Sequence, residues 1–213
     1  MDEWQQARES LTLAGVAGAE DLGRFVNDPR YFQSSAFDER AGMPVLLELL
    51  PTLSDPRLVA AVAAHLRRPW ARPVAFGPLV VAFRRWAPQD QDAAGWQLGD
   101  ALASAARHED LPVVLDLAAD AQYGTARQMI VDALWRFRKS PHVVPVLVSL
   151  ITDPAVALHA MSSLRRAIGP AAALPYLRQV EISHHGDQLG KTAATQIRRA
   201  ESSLSRSNHH PGT

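Results

Sequence analysis

Residues Pro145–Gly169 read PVLVSLITDPAVALHAMSSLRRAIG. A proline opens a short apolar run, Thr152-Asp153-Pro154 breaks it, and an Ala- and Leu-rich segment follows. Proline is tolerated in a first helical turn, where its missing N–H has no intrahelical partner. Ser, Thr or Asp before a periodic apolar segment, or Pro at its first position, marks a helix start. Gly169, just past Ile168, suits a helix C-cap. The stretch therefore reads as helix, turn, helix.

The same unit recurs outward in both directions. PVLLELL starts at Pro44, PLVVAFR at Pro78, PVVLDLA at Pro112 and a fainter PYLRQVE at Pro175. With Pro145 the spacings are 34, 34, 33 and 30 residues. Two positions after each proline stand Leu46, Val80, Val114, Leu147 and Leu177; five after stand Leu49, Phe83, Leu117, Leu150 and Val180. Each run is expected to be a short helix with proline near its start. Each is followed by a break and a second helix: RLVAAVAAHLRR, DAAGWQLGDALASAAR, ARQMIVDALWRFRK, AVALHAMSSLRRAIG and QLGKTAATQIRRAESSL. A short Val-rich run alone is ambiguous between helix and strand, but recurrence before a strongly helical segment favours helix. Self-similarity at this period is the mark of a repeat architecture.

The pattern P-V-L-x-x-L-x-x-D-P, followed by an Ala- and Leu-rich helix ending Arg-Arg-Ala-Ile-Gly, resembles HEAT repeats. Its short period is similar to the HEAT-like class named for phycobilisome lyases. The resemblance covers about residues 41–204 and implies an all-α, right-handed α-α superhelix, a HEAT-like solenoid of about five helix pairs. The approximate units are 41–69, 72–107, 109–139, 141–169 and 170–204. TPR repeats share the 34-residue period, but their Trp-Leu-Gly signature is out of register here. Residues 1–40 do not match. WQQARESLTLAG and AEDLGRFVND read as short helices, and PRYFQSSAFDER, with two Phe and a Tyr, as a cap over the first repeat, which an open-ended solenoid requires. Ser202–Thr213 reads as a frayed polar tail, with 205–213 disordered.

Composition limits the function. The 213 residues are 47% hydrophobic, and 22 Lys+Arg balance 22 Asp+Glu for zero formal charge. Non-specific nucleic-acid binding needs a basic surplus, so nucleic acid is not an expected partner. Cysteine is absent, which excludes disulfides, thiolate metal sites and Cys nucleophiles. The polar start MDEWQQARES is unlike a secretory signal, and no apolar run approaches the roughly 18–20 residues of a membrane span. A cytoplasmic monomer with no membrane partner is expected. Lysine occurs only at Lys139 and Lys191; that Arg bias, with abundant Ala, suggests a GC-rich bacterial genome.

A paired helix buries one stripe and leaves another free. In the third unit Ala126, Ile130, Ala133, Leu134 and Phe137 share the core stripe, opposite Gln128, Asp132, Trp135 and Lys139. In the second unit the core stripe is Ala94, Leu98, Ala101, Leu102 and Ala105, opposite Trp96, Asp100, Ala103 and Arg107. The fourth offers Leu158, Ser162 and Arg165, the first Ala60, Ala64 and Arg67, and the fifth Lys191, Thr195 and Arg198. In HEAT-like solenoids the second helices line the concave face, so the resemblance implies one continuous surface there. Trp, Arg and carboxylates together have the composition of a binding hot spot. The alternative is that each Trp packs into a neighbouring repeat and the charges are a solvated face. Trp70 and Trp86 are read as structural.

The leading functional expectation is a non-catalytic protein–protein interaction module or scaffold. The candidate partner-binding residues are Trp96, Asp100, Arg107, Gln128, Asp132, Trp135, Lys139, Ser162 and Arg165. A second reading is an enzyme: Trp96 and Asp100, one turn apart, look like the aromatic-and-acid arrangement of HEAT-like alkylpurine DNA glycosylases. Zero net charge and shorter, more regular repeats depart from that family. A third is a phycobilin lyase-like protein. No cofactor is expected. Zinc on a helix wants His at i, i+4; the pairs His184-His185 and His209-His210 do not fit, and His65 and His159 show no carboxylate partner in the sequence. No G-x-S-x-G, phosphate loop or dinucleotide fingerprint occurs.

Overall fold

The computed structural model describes residues 2–23, 36–89 and 94–208. Eleven α-helices lie among them, joined by turns and short 3-10 segments, with no strand among the described residues. The protein is all-α. Its contacts divide the chain into two compact units, Met1–Asp110 with Gln122–Arg127, and Leu111–Ala121 with Gln128–Thr213.

The first unit contains α1 (Glu3–Leu13), α2 (Glu39–Leu49), α3 (Pro56–Leu66), α4 (Arg72–Trp86) and α5 (Ala94–Ala105). Helix α1 buries Ala7 and Leu11 and is fastened to the start of α3 by polar contacts. The Glu3 carboxylate accepts the N–H groups of Ser54 and Asp55 at 3.0 and 2.8 Å. The Ser54 hydroxyl bond to Glu3 contributes most to holding that carboxyl below its ordinary pKa. The Trp4 indole N–H donates to Asp55 at 2.7 Å, while the same carboxylate caps α3 by accepting the Arg57 N–H at 2.8 Å. Of the expected helix AEDLGRFVND, Ala19–Asp21 forms a 3-10 turn, and residues 24–28 lie outside the described residues. So do residues 29–35 of the expected aromatic cap. Phe37 is described, is buried, and sets its ring 4.4 Å from that of His65 in α3.

The helices that open with proline in the sequence begin earlier in the structure. Asp38 caps α2 by accepting the N–H groups of Arg40 and Ala41, so Pro44 sits inside that helix. Pro78 is likewise inside α4, and Pro175 inside α10 (Pro170–Ser183). An interior proline leaves the carbonyl four residues back without a helical donor. Those carbonyls belong to Arg40, Val74 and Ala171, all exposed residues. Pro112 and Pro145 lie in first turns, as expected.

Helix α3 packs against α5, and α4 packs against α5. Every residue of α3 from Leu58 to Leu66 is buried. Alanines at 60, 61, 63 and 64 permit this by keeping the helix narrow. Ala60 and Ala64 are therefore not on a free stripe. Ala94, Leu98, Ala101, Leu102 and Ala105 are fully buried, as their spacing predicts.

The second unit contains α6 (Leu111–Ala119), α7 (Gln128–Ala133), α8 (Val143–Leu150), α9 (Ala157–Ile168), α10 and α11 (Gln188–Asn208). Helix α9 contacts α7, α8, α10 and α11, and α10 lies along α11. Leu147, Leu150, Leu164, Leu177 and Val180 are buried among them. Gly169 links α9 to α10 at φ 85°, a left-handed value that favours glycine. Helix α11 continues to Asn208, well into the stretch from Ser202 read as a frayed tail; residues 209–213 lie outside the described residues.

The expected helix over 126–139 is not continuous. Ala121–Arg127 is a 3-10 segment kinked at Gly124, α7 supplies six α-helical residues, and Leu134–Phe137 tightens again to 3-10. Arg127 is buried at the kink, its Nε–H donating to the Gly124 carbonyl at 3.1 Å. Further on, the Trp135 N–H donates to the Ser163 hydroxyl of α9 at 3.0 Å. A side chain that takes a donor from the helical ladder is a recognised cause of local tightening. Of the expected core stripe, Ala126, Ile130, Leu134 and Phe137 are buried, while Ala133 is only half-buried.

Close approach governs the first unit at Gly99. A methyl group placed there would lie 2.3 Å from the carbonyl oxygen of Ala126. Replacing Gly by Ala in a helix normally gains about 1 kcal/mol, but overpacking against backbone costs about 1–3 kcal/mol. Gly99→Ala is expected to lose up to about 2 kcal/mol in urea unfolding; a gain in stability would contradict the packing described.

Candidate functional site

The nine sequence-selected residues fall into separate groups. In the first unit Trp96 is half-buried on α5. Asp100, one turn on, is only 5% exposed, and its carboxylate is ion-paired with the Arg67 guanidinium. Asp100 is thus part of the α3–α5 packing and not an open carboxylate beside Trp96. This pairing occupies the acid that the glycosylase-like reading needs exposed. Arg107 is exposed beyond the end of α5, 3.0 Å from Glu109. Its backbone N–H donates to Asp110 at 2.8 Å, so that carboxylate ties the turn before α6.

In the second unit, Gln128 donates its side-chain amide to the Ala155 carbonyl at 3.0 Å, bracing the turn that leads to α9. Asp132 pairs with Arg166 of α9 at 3.1 Å. The same guanidinium lies 4.0 Å from the centre of the Trp135 ring, with Arg138 at 5.7 Å. Trp135 is half-buried. Its position is fixed three ways: by its backbone bond to Ser163, by the cation above its face, and through that cation by Asp132. A cation over an exposed indole contributes about 0.5–1 kcal/mol. Lys139 is exposed and Ser162 half-buried. Sequence spacing picks Ser162, but the fully buried Ser163 makes the bond to Trp135.

Arg165 belongs to a third group. It lines a pocket of about 500 Å³ together with Thr195, Arg198, Arg199, Ser202, Ser203 and Arg206 of α11. Thr195 and Arg198 lie on the free stripe expected for the fifth unit; Arg206 falls in the stretch read as a frayed tail, and Arg199, inside the expected helix, falls off the one stripe taken as free. Burial, then Arg199, then Arg166 lower the pKa of Arg165.

Two histidines gain partners that sequence spacing does not reveal. His65 is buried with Nδ1 3.4 Å from Glu39, which also binds Arg68. Burial raises the Glu39 carboxyl, but bonds from His65 and Arg68 outweigh it and leave the pKa below ordinary. His184 stands 3.1 Å from Asp187, whose other oxygen accepts the Gly190 N–H at the start of α11. Among the described residues no three His, Asp or Glu side chains gather closely enough to hold a metal ion. No helix among them is long and apolar enough to cross a membrane. Trp86 is buried, and the Arg40 guanidinium covers Trp70 at 5.3 Å, which gives both rings packing roles.

No protein-family model, curated protein or solved structure matches this chain.

The two aspartates should behave differently on neutralisation. Asp100→Asn removes a buried charge-assisted bond and should cost about 1–3 kcal/mol. Asp132→Asn breaks a partly exposed pair and should cost less than about 1 kcal/mol. Urea unfolding of both variants measures this, and equal losses would refute the distinction.

His159 of α9 provides a pH test. Burial lowers its pKa from the ordinary 6.5, and the nearby Asp132 charge only partly opposes this. The unfolded chain therefore takes up the proton more readily than the folded one. The associated stability is complete above pH 6.5 and is lost as pH falls through the lower folded value. His159→Gln should flatten this acid limb in melts recorded below pH 6.5. An unchanged limb would remove His159 as its source.

Proposed function

We propose that this protein is a non-catalytic binding module whose helix pairs stack as a right-handed HEAT-like superhelix. It engages a protein partner through the outward faces of its second helices. Within each unit a second helix packs on a second helix, α3 on α5 and α9 on both α7 and α11. That arrangement supports the repeat reading, in which those faces line the concave side.

The observation that carries the proposal is the clamped, half-exposed indole of Trp135 with Arg166 above it and Asp132 behind. Trp and Arg are the residues most enriched at interface hot spots. An aromatic anchor already held in place loses little further freedom on binding, so more of its contact energy appears as affinity. Ordinary core packing would bury such a ring; here one face is covered by a cation and the residue stays partly open.

Affinity capture from the source organism followed by mass spectrometry names the partner. Trp135→Ala then tests the surface. Partner affinity should fall at least tenfold, about 1.4 kcal/mol, with a melting temperature lowered by only a few degrees. Loss of affinity no larger than the loss of stability would assign Trp135 to packing alone.

A further inference from the structure

Helix α11 carries a polar stripe that its first half does not foretell. Thr195, Arg198, Arg199, Ser202, Ser203 and Arg206 recur at helical spacing on one side, and Arg165 of α9 completes the pocket they line. Four guanidiniums and three hydroxyl-bearing side chains face this space, and no carboxylate lines it. A shallower adjoining depression shares Arg198, Ser202 and Arg206 and adds Glu201 and Ser205. Glu201 is engaged by Arg178 at 3.3 Å.

Several arginines elsewhere are neutralised locally: Arg67 by Asp100, Arg68 by Glu39, Arg107 by Glu109, Arg166 by Asp132. In the pocket Arg198 bonds instead to the Thr195 hydroxyl at 3.0 Å, and the Nε–H of Arg165 is buried with no acceptor. Like charges gathered without a counter-charge repel one another, and an anion relieves that repulsion while accepting bidentate guanidinium bonds.

We propose that the Arg165–Arg198–Arg199–Arg206 pocket binds an acidic peptide segment of the protein partner. This rests on the reading of the chain as a protein-binding module. From Thr195 to Arg206 the helix rises about 16 Å, a length that about five extended peptide residues span. A volume of about 500 Å³ exceeds what one small oxyanion fills. The lining holds no aromatic ring on which a nucleobase would stack, and the chain has no net positive charge to draw a long polyanion. A peptide with several carboxylates fits both the length and the local charge.

Fluorescence anisotropy on the full chain tests this with a labelled decapeptide alternating Glu and Ser. Controls are its Gln-for-Glu counterpart, a labelled oligothymidylate of equal charge, and sodium tripolyphosphate as competitor. The Glu peptide should bind, weaken with added salt, and lose at least tenfold in affinity in the Arg198→Gln/Arg206→Gln variant. Both arginines are exposed, so the variant's melt should match the parent; Arg198→Lys/Arg206→Lys should retain part of the binding. A change below twofold in the Gln variant, or binding of the Gln peptide with equal affinity, overturns the proposal. Tighter binding of the oligothymidylate overturns it in favour of nucleic acid. Failure of the Glu peptide alongside binding of tripolyphosphate overturns it in favour of a small polyanion. If the peptide fails while Trp135→Ala still abolishes partner binding, this proposal falls and the binding-module reading stands.

Discussion

The close approach of the second helices is the constraint on which the described structure depends. In the first unit α3 packs on α5, and Ala60, Ala61, Ala63 and Ala64 of α3 and Leu98 and Ala101 of α5 have essentially no exposed surface. At Gly99 even a methyl group has no room. Alanine and glycine contribute little apolar area individually. Their value here is geometric, since they let dispersion contacts form between backbones and longer neighbours on both sides. The consequence reaches polar groups at the edge of the contact. Asp100 emerges from the α5 face into this packing and needs a cation, which Arg67 at the end of α3 provides.

The same constraint explains what the sequence discloses and what it hides. Apolar spacing identifies the buried stripe of α5 residue by residue, because burial of Ala94, Leu98, Ala101, Leu102 and Ala105 follows directly from helical period. Free stripes are harder to read. The period says which side of a helix is opposite the core; it does not say whether a third helix covers that side. For α3 one does, so its whole circumference is buried. Helix starts shift for a related reason: a strong cap such as Asp38 can begin a helix upstream of a proline whose freed carbonyl belongs to an exposed residue. The break within 126–139 depends on a hydroxyl from α9, a contact 28 residues away that no local propensity encodes.

Charge follows a different rule. The chain as a whole is neutral, yet neutrality is reached through short-range pairs between helices distant in sequence, such as Glu39 with Arg68 and Asp132 with Arg166. Each pair is partly exposed and contributes modestly to stability. Their larger effect is orientational. Arg166, drawn by Asp132, becomes the lid of Trp135, and Glu39 holds both His65 and Arg68 where three segments meet. Composition alone therefore conceals the molecule's electrostatic character, because a zero sum is compatible with uniform pairing or with charges of one sign gathered locally.

Helix α11 carries such a local gathering of one sign. Its apolar side, with Ala193, Ile197 and Ala200, is buried, while the opposite stripe gathers guanidiniums against Arg165 without a carboxylate among the lining groups. A helix designed only for stability would set Glu one turn before each Arg, since such pairs favour helix formation. Here the positions four before Arg199 and Arg206 are Thr195 and Ser202, which offer hydroxyls and no charge. Helical propensity thus does not account for the composition of this face, and repulsion among its arginines works against it. An anion entering there would recover that cost, which is why the proposed site of charge recognition is this arginine stripe and not the Trp96–Asp100 turn, whose carboxylate Arg67 already engages.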